Sequence, residues 1–317
     1  MPDSTAQMTR VRAADAAGIA EAAALLAGGD IAAIPTETVY GLAADAENAL
    51  AVAKVYAAKG RPGFNPLIVH VADRAMAGRY ALFDPLAEQL AAAFWPGPLT
   101  LVLPLKPDAA VAALVVAGLP TIALRVPAHA AMQGVIRGLG RGVAAPSANA
   151  SGRLSPTRAG HVVSSLDGRV PLVLDAGPCA AGLESSIIGL ADGRARLLRQ
   201  GAVPREAIEA MLGTPLVLAA DTEPVAAPGM LLGHYAPRLS LRLNARTADM
   251  REFHIGFGPI PGDESLSPSG DLAEAAANLF DLLHRADCSA RESIAVAPIP
   301  ETGLGAAIND RLHRATR

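Results

Sequence analysis

The sequence lacks most of the features that mark specialised protein classes. Its two cysteines, Cys179 and Cys288, are too few for a disulfide framework and are not spaced as metal ligands. Its long uncharged stretches, such as residues 109–124, which Gly118 and Pro120 interrupt, are shorter than the ~20 residues that a transmembrane helix needs. The first ten residues lack the basic-then-apolar layout of a signal peptide. These absences predict a cytoplasmic protein with no membrane span.

The chain also carries little net charge, and it lacks the common nucleotide-binding motifs. The formal net charge is −3 at pH 7, so any contact with RNA would have to be local. The chain has no GxxxxGK(S/T) loop, no GxGxxG unit placed after a strand, no HExxH and no GxSxG. Bound phosphate would therefore be held by side chains and turns from several segments. A divalent ion would arrive with the nucleotide, because Mg²⁺ prefers phosphate oxygens and water to an all-protein cage.

What the chain does contain favours a compact α/β protein with two domains. It has 317 residues, of which 51% are apolar, with many alanines, and only 3% are aromatic. Strand and helix patterns mix irregularly, so we expect a mixed sheet with flanking helices instead of a strict βαβ repeat. The pattern weakens after residue 212. We therefore expect a large domain at residues 1–212, a linker at 213–238 and a small α/β domain at 239–317.

Hydrophobic periodicity and capping residues place the individual elements. Helices are predicted at residues 15–27, 46–58, 85–94, 271–286 and 303–315, with another that ends near residue 212. Strands are predicted at residues 31–34, 67–71, 99–103, 121–126, 143–145, 172–174, 186–189, 195–198, 239–243, 254–257 and 293–297. The candidate functional residues lie in the loops between these strands and on the strands themselves.

Two polar segments stand out in the first third of the chain. PTETVYG, residues 35–41, follows a predicted strand, and ligands often bind where the strands of an α/β sheet end. A plain turn with an N-cap threonine is the alternative. In KGRP, Pro62 favours an extended Arg61, so Lys59 and Arg61 can point the same way and grip a polyphosphate; a solvated loop is the alternative. His70 lies in an apolar strand, where an ordinary core histidine is the alternative to a ligand-binding one.

Two further groups carry short polar side chains and arginines. In APSAN, Ser147 and Asn149 repeat the spacing of two, and the small residues around them let a ligand approach the backbone. Thr121 and Arg125 share one predicted strand, and Arg199 follows another. A buried arginine needs an anionic partner, and the sequence leaves open whether this partner is a protein carboxylate or a ligand.

Taken in order, these segments resemble the threonylcarbamoyl-AMP synthase family, which is built on the YrdC-type domain. The matching motifs over residues 15–212 are PTETVYGL, KGRPGFNPLIVHV, FWPGPLTLVL, TIALRVP, APSANASGRLSPT, GLESS and LLRQGAV. PGM with HYAP, and PETGLGAAINDRL, resemble the long form of the family. The resemblance implies a YrdC-like mixed twisted sheet with flanking helices, plus a smaller C-terminal, Rossmann-like α/β domain. One departure is Ala43, where the family often has glycine.

The resemblance also implies a reaction. L-threonine, bicarbonate and ATP would give threonylcarbamoyl-AMP and pyrophosphate, which makes the protein a nucleotidyltransferase. A downstream transferase complex would then modify adenosine 37 of tRNAs that decode ANN codons, and a weak tRNA contact is compatible with the sequence. Mg²⁺ is expected with ATP. The PGMLLGHYAP segment is expected to fold over the site as a lid, because a carbamate intermediate must be shielded from water.

Matching the family motifs position by position implies roles for individual residues. The residues that would hold L-threonine are Thr38, His70, Arg125, Ala145 (through its backbone) and Ser185. Those that would hold ATP are Arg61, Asn65, Thr121, Ser147, Ser155, Arg199 and Tyr235, with His234 as a further candidate. Those that would surround the reacting centre are Lys59, Arg61, Ser147 and Asn149.

Two rival functions remain. A carbamoyltransferase of hydrogenase maturation uses a similar domain, but it carries zinc-finger cysteine pairs that this chain lacks. A double-stranded RNA- or tRNA-binding module without turnover would grip phosphates with Lys59 and Arg61. In such a groove Thr38, His70 and Ser185 would be superfluous.

Overall fold

The computed structural model describes residues 8–190, 193–218 and 235–316. The strands in these ranges are β1 Arg10–Ala13, β2 Ala32–Ile34, β3 Gly41–Asp45, β4 Ile68–His70, β5 Leu99–Pro104, β6 Thr121–Arg125, β7 Val143–Ala144, β8 Leu172–Asp175, β9 Ser186–Gly189, β10 Arg196–Arg199, β11 Val217–Leu218, β12 Ser240–Arg242, β13 Glu252–Gly256, β14 Glu264–Ser265 and β15 Ser293–Val296. The helices are α1 Ala16–Ala27, α2 Ala49–Lys59, α3 Arg74–Ala77, α4 Pro85–Phe94, α5 Ala113–Val116, α6 Ala130–Leu139, α7 Ala159–Leu166, α8 Arg205–Leu212, α9 Leu272–Asp287 and α10 Leu304–Ala315. None of these helices is long and apolar enough to span a bilayer.

The strands form two sheets. The larger has the order β1-β8-β2-β3-β7-β4-β6-β5-β9-β10-β11 and mixes parallel pairs, such as β4 with β6, with antiparallel pairs, such as β3 with β7. The smaller has the order β12-β15-β13-β14, and all its pairs are parallel. The predicted fold, a mixed sheet with helices and a small second α/β unit, is therefore confirmed.

Two elements that the sequence analysis left out are stabilised by packing. β3, GLAAD, has no β-branched residue, but it is fully buried between β2 and β7. α6 contains two glycines that lower its helix propensity. A Cβ at Gly134 would lie 2.8 Å from Ile19, and one at Gly138 would lie 2.9 Å from Ala23. The glycines therefore let α6 lie directly against α1, and that tertiary contact outweighs the weak propensity.

The ends of α2 shape the neighbouring loop. Asn48 accepts a hydrogen bond from the backbone N–H of Leu50 at 3.0 Å, so the helix starts three residues later than predicted. It ends at Gly60, which has a left-handed conformation with a φ of 61°. Glycine adopts this conformation without strain. The chain therefore turns sharply between Lys59 and Arg61.

The two sheets belong to units that share a hydrophobic core. Leu154, Leu183 and Tyr235 pack in one cluster with Phe280 and other buried side chains of the smaller unit. The predicted linker at residues 213–238 is partly structured, because β11 pairs with β10 at the edge of the large sheet. Residues 219–234, which include most of the predicted lid and His234, lie outside the described residues.

Candidate active site

A concave pocket lies where the ends of several strands of the large sheet meet. Its empty volume is about 570 Å³ when its open mouth is included. The sequence-predicted residues that line it are Thr38, Arg61, His70, Arg125, Ala145, Ser147, Ser185, Arg199 and Tyr235. The predicted residues outside its lining are Lys59, Asn65, Thr121, Asn149 and Ser155.

Strand register brings the centre of the pocket together. β4 and β6 are parallel neighbours in which His70 pairs with Arg125. On the other side of β4 lies β7, and the N–H of Ala145, just after β7, donates to the carbonyl of Ile68 at 3.0 Å. Three segments that are far apart in the sequence therefore place His70, Arg125 and the Ala145 backbone side by side.

Arg125 is held by a fork of contacts that includes a protein carboxylate. Its Nη1 donates to Oγ1 of Thr38 at 2.9 Å and its Nε to the carbonyl of Gly97 at 3.1 Å. Its Nη2 lies 2.6 Å from Oε1 of Glu37. The sequence analysis quoted Glu37 within PTETVYG but gave it no role. The anionic partner that Arg125 requires is therefore present within the protein, in the same loop that supplies Thr38.

The PTETVYG loop is rigid because its threonines bond to one another and to the backbone. Oγ1 of Thr36 accepts from the N–H groups of Thr38 and Val39, both at 3.2 Å, and donates to the carbonyl of Val39 at 2.7 Å. The hydroxyls of Thr36 and Thr38 lie 2.8 Å apart. The loop thus contains the turn that the alternative interpretation expected, and the same turn aims Thr38 at Arg125.

Arg199 and Ser185 form the opposite wall of the pocket. Nε and Nη2 of Arg199 donate to the carbonyl of Ser185 at 3.1 and 2.9 Å, and Nη2 also donates to its hydroxyl at 3.1 Å. That hydroxyl lies 2.7 Å from Oγ1 of Thr100. Burial lowers the pKa of Arg199 from its ordinary value. The guanidinium is therefore a desolvated donor, whose interactions with an anion are stronger than in water.

Arg61 reaches the pocket, but Lys59 does not. Arg61 donates from Nε to the carbonyl of Asn65 at 3.1 Å and from Nη2 to that of Pro66 at 2.8 Å, and burial lowers its pKa to about 10. Nζ of Lys59 donates instead to the carbonyls of Ser147 and Asn149 at 2.6 and 2.5 Å. Burial and, after it, the charge of Arg61 lower the pKa of Lys59 well below its ordinary value. The two cations do not point the same way, because the left-handed Gly60 separates them.

Like Lys59, Asn149 does not line the pocket, although Ser147, two residues before it, does. Its Nδ2 donates to the carbonyls of Ala150 and Arg153 at 3.1 and 2.7 Å, so it stabilises its own turn. Ser147 lines the pocket. The spacing of two would place both side chains on one face only in an extended strand, and this segment is not one.

Three other predicted residues are not part of the pocket lining. Asn65 is buried in the KGRP loop. Thr121 is the first residue of β6, about 13 Å along the strand from Arg125 at its other end. Ser155 donates to Oε1 of Glu184 at 2.5 Å, and Glu184 itself lines the pocket. Sequence reasoning gave Glu184 no role of its own.

His70 is a buried, neutral imidazole. Burial and, after it, the charge of Arg125 lower its pKa to about 3. Its Nδ1 has no hydrogen-bond partner within the described part of the chain. Because the ring lines the pocket, a ligand there would meet a neutral imidazole.

The carboxylates of this region are engaged by arginines. Glu37 pairs with Arg125, and Glu184 pairs with Arg311 at 2.7 Å. Within residues 8–190, 193–218 and 235–316, no three His, Cys, Asp or Glu side chains are grouped so that they could hold a metal ion. A divalent ion in this pocket would therefore depend on oxygens from a ligand.

Comparison with known proteins extends the resemblance to nearly the whole chain. A family model described as telomere recombination matches residues 24–201, and one described as the C-terminal domain of threonylcarbamoyl-AMP synthase matches residues 203–316. Proteins named threonylcarbamoyl-AMP synthase from Bacillus subtilis (strain 168) and Pyrococcus abyssi (strain GE5 / Orsay) are 41% and 38% identical to this chain. The first alignment covers 94% of this chain and 92% of the relative, and the second covers 93% of each.

A solved structure shares the arrangement of both units. The crystal structure of Pyrococcus abyssi Sua5 complexed with L-threonine matches with a TM-score of 0.88 at 35% identity. The match covers 98% of this chain and 97% of that one. The similarity therefore includes the pocket, the small sheet and the way that the two units pack.

Proposed function

The chain belongs to the threonylcarbamoyl-AMP synthase family, and from this premise we propose that it condenses L-threonine, bicarbonate and ATP into threonylcarbamoyl-AMP and pyrophosphate. The resemblance inferred from the motifs is confirmed by matches over both parts of the chain. The protein is accordingly an enzyme of the nucleotidyltransferase type. L-threonine is the ligand of the similar Pyrococcus abyssi structure, which supports it as a substrate here.

The observation that carries the proposal is the fork of Arg125 at the centre of the pocket. Its guanidinium already forms an ion pair with one carboxylate, that of Glu37, and its planar fork suits a second, from the substrate. The hydroxyls of Thr38 and Ser185 and the neutral ring of His70 surround it. These groups match an amino acid that carries a hydroxyl, a carboxylate and an amine.

ATP would bind on the side of the pocket that Arg61, Arg199 and Ser147 form. The half-buried guanidinium of Arg61 and the buried one of Arg199 would provide positive charge where phosphate charge accumulates during the reaction. Mg²⁺ would be brought by the nucleotide and would neutralise phosphate charge, since Glu37 and Glu184 are already paired with arginines. Lys59 and Asn149 would act indirectly, by holding the turn that presents Ser147.

The proposed chemistry needs no covalent intermediate with the protein. The amine of threonine and bicarbonate give a carbamate and water, and the carbamate oxygen then attacks the α-phosphorus of ATP while pyrophosphate leaves. Cys179 is a poor nucleophile, because burial raises the pKa of its thiol to about 12. Orientation of the two substrates would supply much of the rate enhancement. The PGMLLGHYAP segment would shield the carbamate from water, although most of it lies outside the described residues.

In the cell, the product would be consumed by a transferase complex that modifies adenosine 37 of tRNAs that decode ANN codons.

A module that only binds RNA would need cations displayed on its surface. Two arginines of the pocket are buried instead, Arg125 at 3% and Arg199 at 7% exposure. The pocket therefore favours small substrates over a duplex.

The decisive experiment measures pyrophosphate release from ATP with L-threonine and bicarbonate each omitted in turn. We expect release only when both are present, and threonylcarbamoyl-AMP should be detectable by mass spectrometry. Arg61→Ala should abolish turnover and leave the circular dichroism spectrum unchanged, whereas Arg137→Ala, at an exposed position, should retain full turnover. Pyrophosphate release that ignores both omissions would contradict the proposal.

A further inference from the structure

The motif PETGLGAAINDRL carries a buried charge that has no part in the chemistry described above. Its Arg311 lies on α10 of the smaller unit, and the side chain is completely buried. Arginine is almost never buried to this degree unless it is paired. Packing of the smaller unit alone would not require a guanidinium at this position.

The guanidinium of Arg311 reaches from the smaller unit to Glu184, a residue that lines the active-site pocket. Its Nε lies 2.7 Å from Oε2 of Glu184, and its Nη2 donates to the carbonyl of Gln200 at 2.7 Å. Its Cζ lies 5.0 Å from the centre of the Tyr235 ring, and Nη1 contacts the neighbouring Asp310. Since Glu184 and Gln200 belong to the large sheet's unit, this buried ion pair joins the two units at the pocket.

Glu184 transmits the contact to the pocket. Its other oxygen, Oε1, accepts a hydrogen bond from Ser155 at 2.5 Å, and its side chain lines the pocket beside Arg199. Burial disfavours the ionised form, but the charges of Arg311 and Arg199 and the hydrogen bond from Ser155 together lower the pKa of Glu184. Glu184 is therefore a carboxylate, held in its charged form inside a pocket that would receive an anionic nucleotide.

Without a cationic partner, this carboxylate would repel phosphate groups. Two like charges several ångströms apart in a partly buried site interact strongly enough to change an affinity about tenfold. Breaking a buried pair on one side leaves the other charge uncompensated. Arg311 removes this repulsion, and it also fixes the carboxylate that holds Ser155.

We propose that Arg311 is a positioning residue for the nucleotide: from the smaller unit it neutralises and orients Glu184, so that Ser155 is held in place and the pocket accepts the polyphosphate of ATP. The inference rests on the proposed function, because it takes ATP to be the nucleotide that binds here. It assigns the C-terminal unit a direct electrostatic contribution to the pocket, in addition to its packing against Tyr235.

The GLESS segment is shaped for this contact. Gly182 has a φ of +68°, and a Cβ there would lie 2.3 Å from the carbonyl oxygen of Ala276 in α9. On the other side, a Cβ at Gly201 would lie 2.4 Å from the carbonyl oxygen of Glu184. Contacts this close are open only to glycine. The segment that carries Glu184 is therefore clamped between two backbones, opposite Arg311.

The test compares Arg311→Met with a matched surface variant, Arg285→Met, in the full-length protein. Arg285 lies on α9 of the same unit and forms an exposed ion pair. We expect Arg311→Met to raise the KM for ATP about tenfold and the KM for L-threonine less than about threefold, and Arg285→Met to change neither. Asp310 stays paired with Arg314 at 2.9 Å, so Glu184 is the carboxylate that loses its partner.

A double variant separates electrostatics from structure. Glu184→Gln combined with Arg311→Met leaves no net charge in the pair, so the KM for ATP should return to within about threefold of the wild-type value. Arg311→Lys keeps the charge, so its KM for ATP should lie between the values of the wild type and Arg311→Met. An unchanged KM for ATP in Arg311→Met, or a double variant as weak as the single one, would overturn the inference. If Arg311→Met does not fold, the double variant decides. A KM for ATP near the wild-type value supports the inference, and a KM for ATP that is about tenfold higher overturns it.

A binding measurement separates this inference from the proposed function. It follows a non-hydrolysable ATP analogue by calorimetry, without threonine or bicarbonate. A wild-type protein that forms no threonylcarbamoyl-AMP would contradict the proposed function. Analogue binding that Arg311→Met leaves unaffected would contradict this inference alone.

Discussion

Substitution of Lys59 by methionine distinguishes a structural from a chemical role for this lysine. Lys59 is 4% exposed, and its ammonium donates to two carbonyls of the turn that presents Ser147, at 2.6 and 2.5 Å. Each hydrogen bond from a charged group contributes about 1.5–3 kcal/mol. Removal of the ammonium also removes the cost of burying it, which offsets part of this sum. We expect Lys59→Met to lower the free energy of unfolding by about 2–4 kcal/mol.

The assay is thermal unfolding, followed by kinetics on the folded variant. A loss of this size should lower the Tm of the transition that unfolds the large unit by about 5–15 °C. The KM for ATP should rise, because the turn that carries Ser147 loses its support. Lys54→Met is the matched control: this lysine lies on the same helix and forms an exposed pair with Asp30 at 3.1 Å, so both Tm and kinetics should stay near the wild-type values.

The opposite result would refute this reasoning. If Lys59→Met keeps the wild-type Tm and loses kcat by about 100-fold or more, the ammonium acts on the reacting phosphates themselves. In that case the bound substrate would replace the contacts that Lys59 makes with the carbonyls of Ser147 and Asn149.

Two further predictions concern the centre of the pocket. Arg125→Lys should raise the KM for L-threonine about 10- to 100-fold, because lysine cannot reproduce the fork of contacts to Thr38, Gly97 and the substrate carboxylate. The assay is steady-state kinetics, and a variant in which only the KM for ATP rises would contradict this prediction. The pKa of His70 in the folded protein, about 3, lies below its ordinary value of 6.5, so its contribution to stability is present above pH 6.5 and is lost as the pH falls towards 3. Denaturant unfolding should therefore show that the wild type loses about 2 kcal/mol more than His70→Gln between pH 7 and pH 5, and equal losses would show that His70 is not buried in its neutral form.

Much of the fold could be predicted because its signals are local. Apolar runs bounded by glycine, proline and capping residues identified the strands at the centre of the large sheet and the helices α1, α4, α9 and α10. β3 and α6 escaped because their residues have low intrinsic propensity. They form where tertiary partners, such as Ile19 beneath Gly134, compensate for it.

The sequence alone determined the family and the set of polar segments, since seven motifs in a fixed order depend on identity and spacing only. The tertiary structure decided which members of those segments face the pocket. The left-handed Gly60 turned Lys59 away from Arg61, although the two are neighbours in the motif. The pairs that set the charge of the pocket, Glu37 with Arg125 and Glu184 with Arg311, join distant segments, and the second spans 127 positions. No local pattern encodes such a pair, because its energy exists only once packing has removed both charges from water.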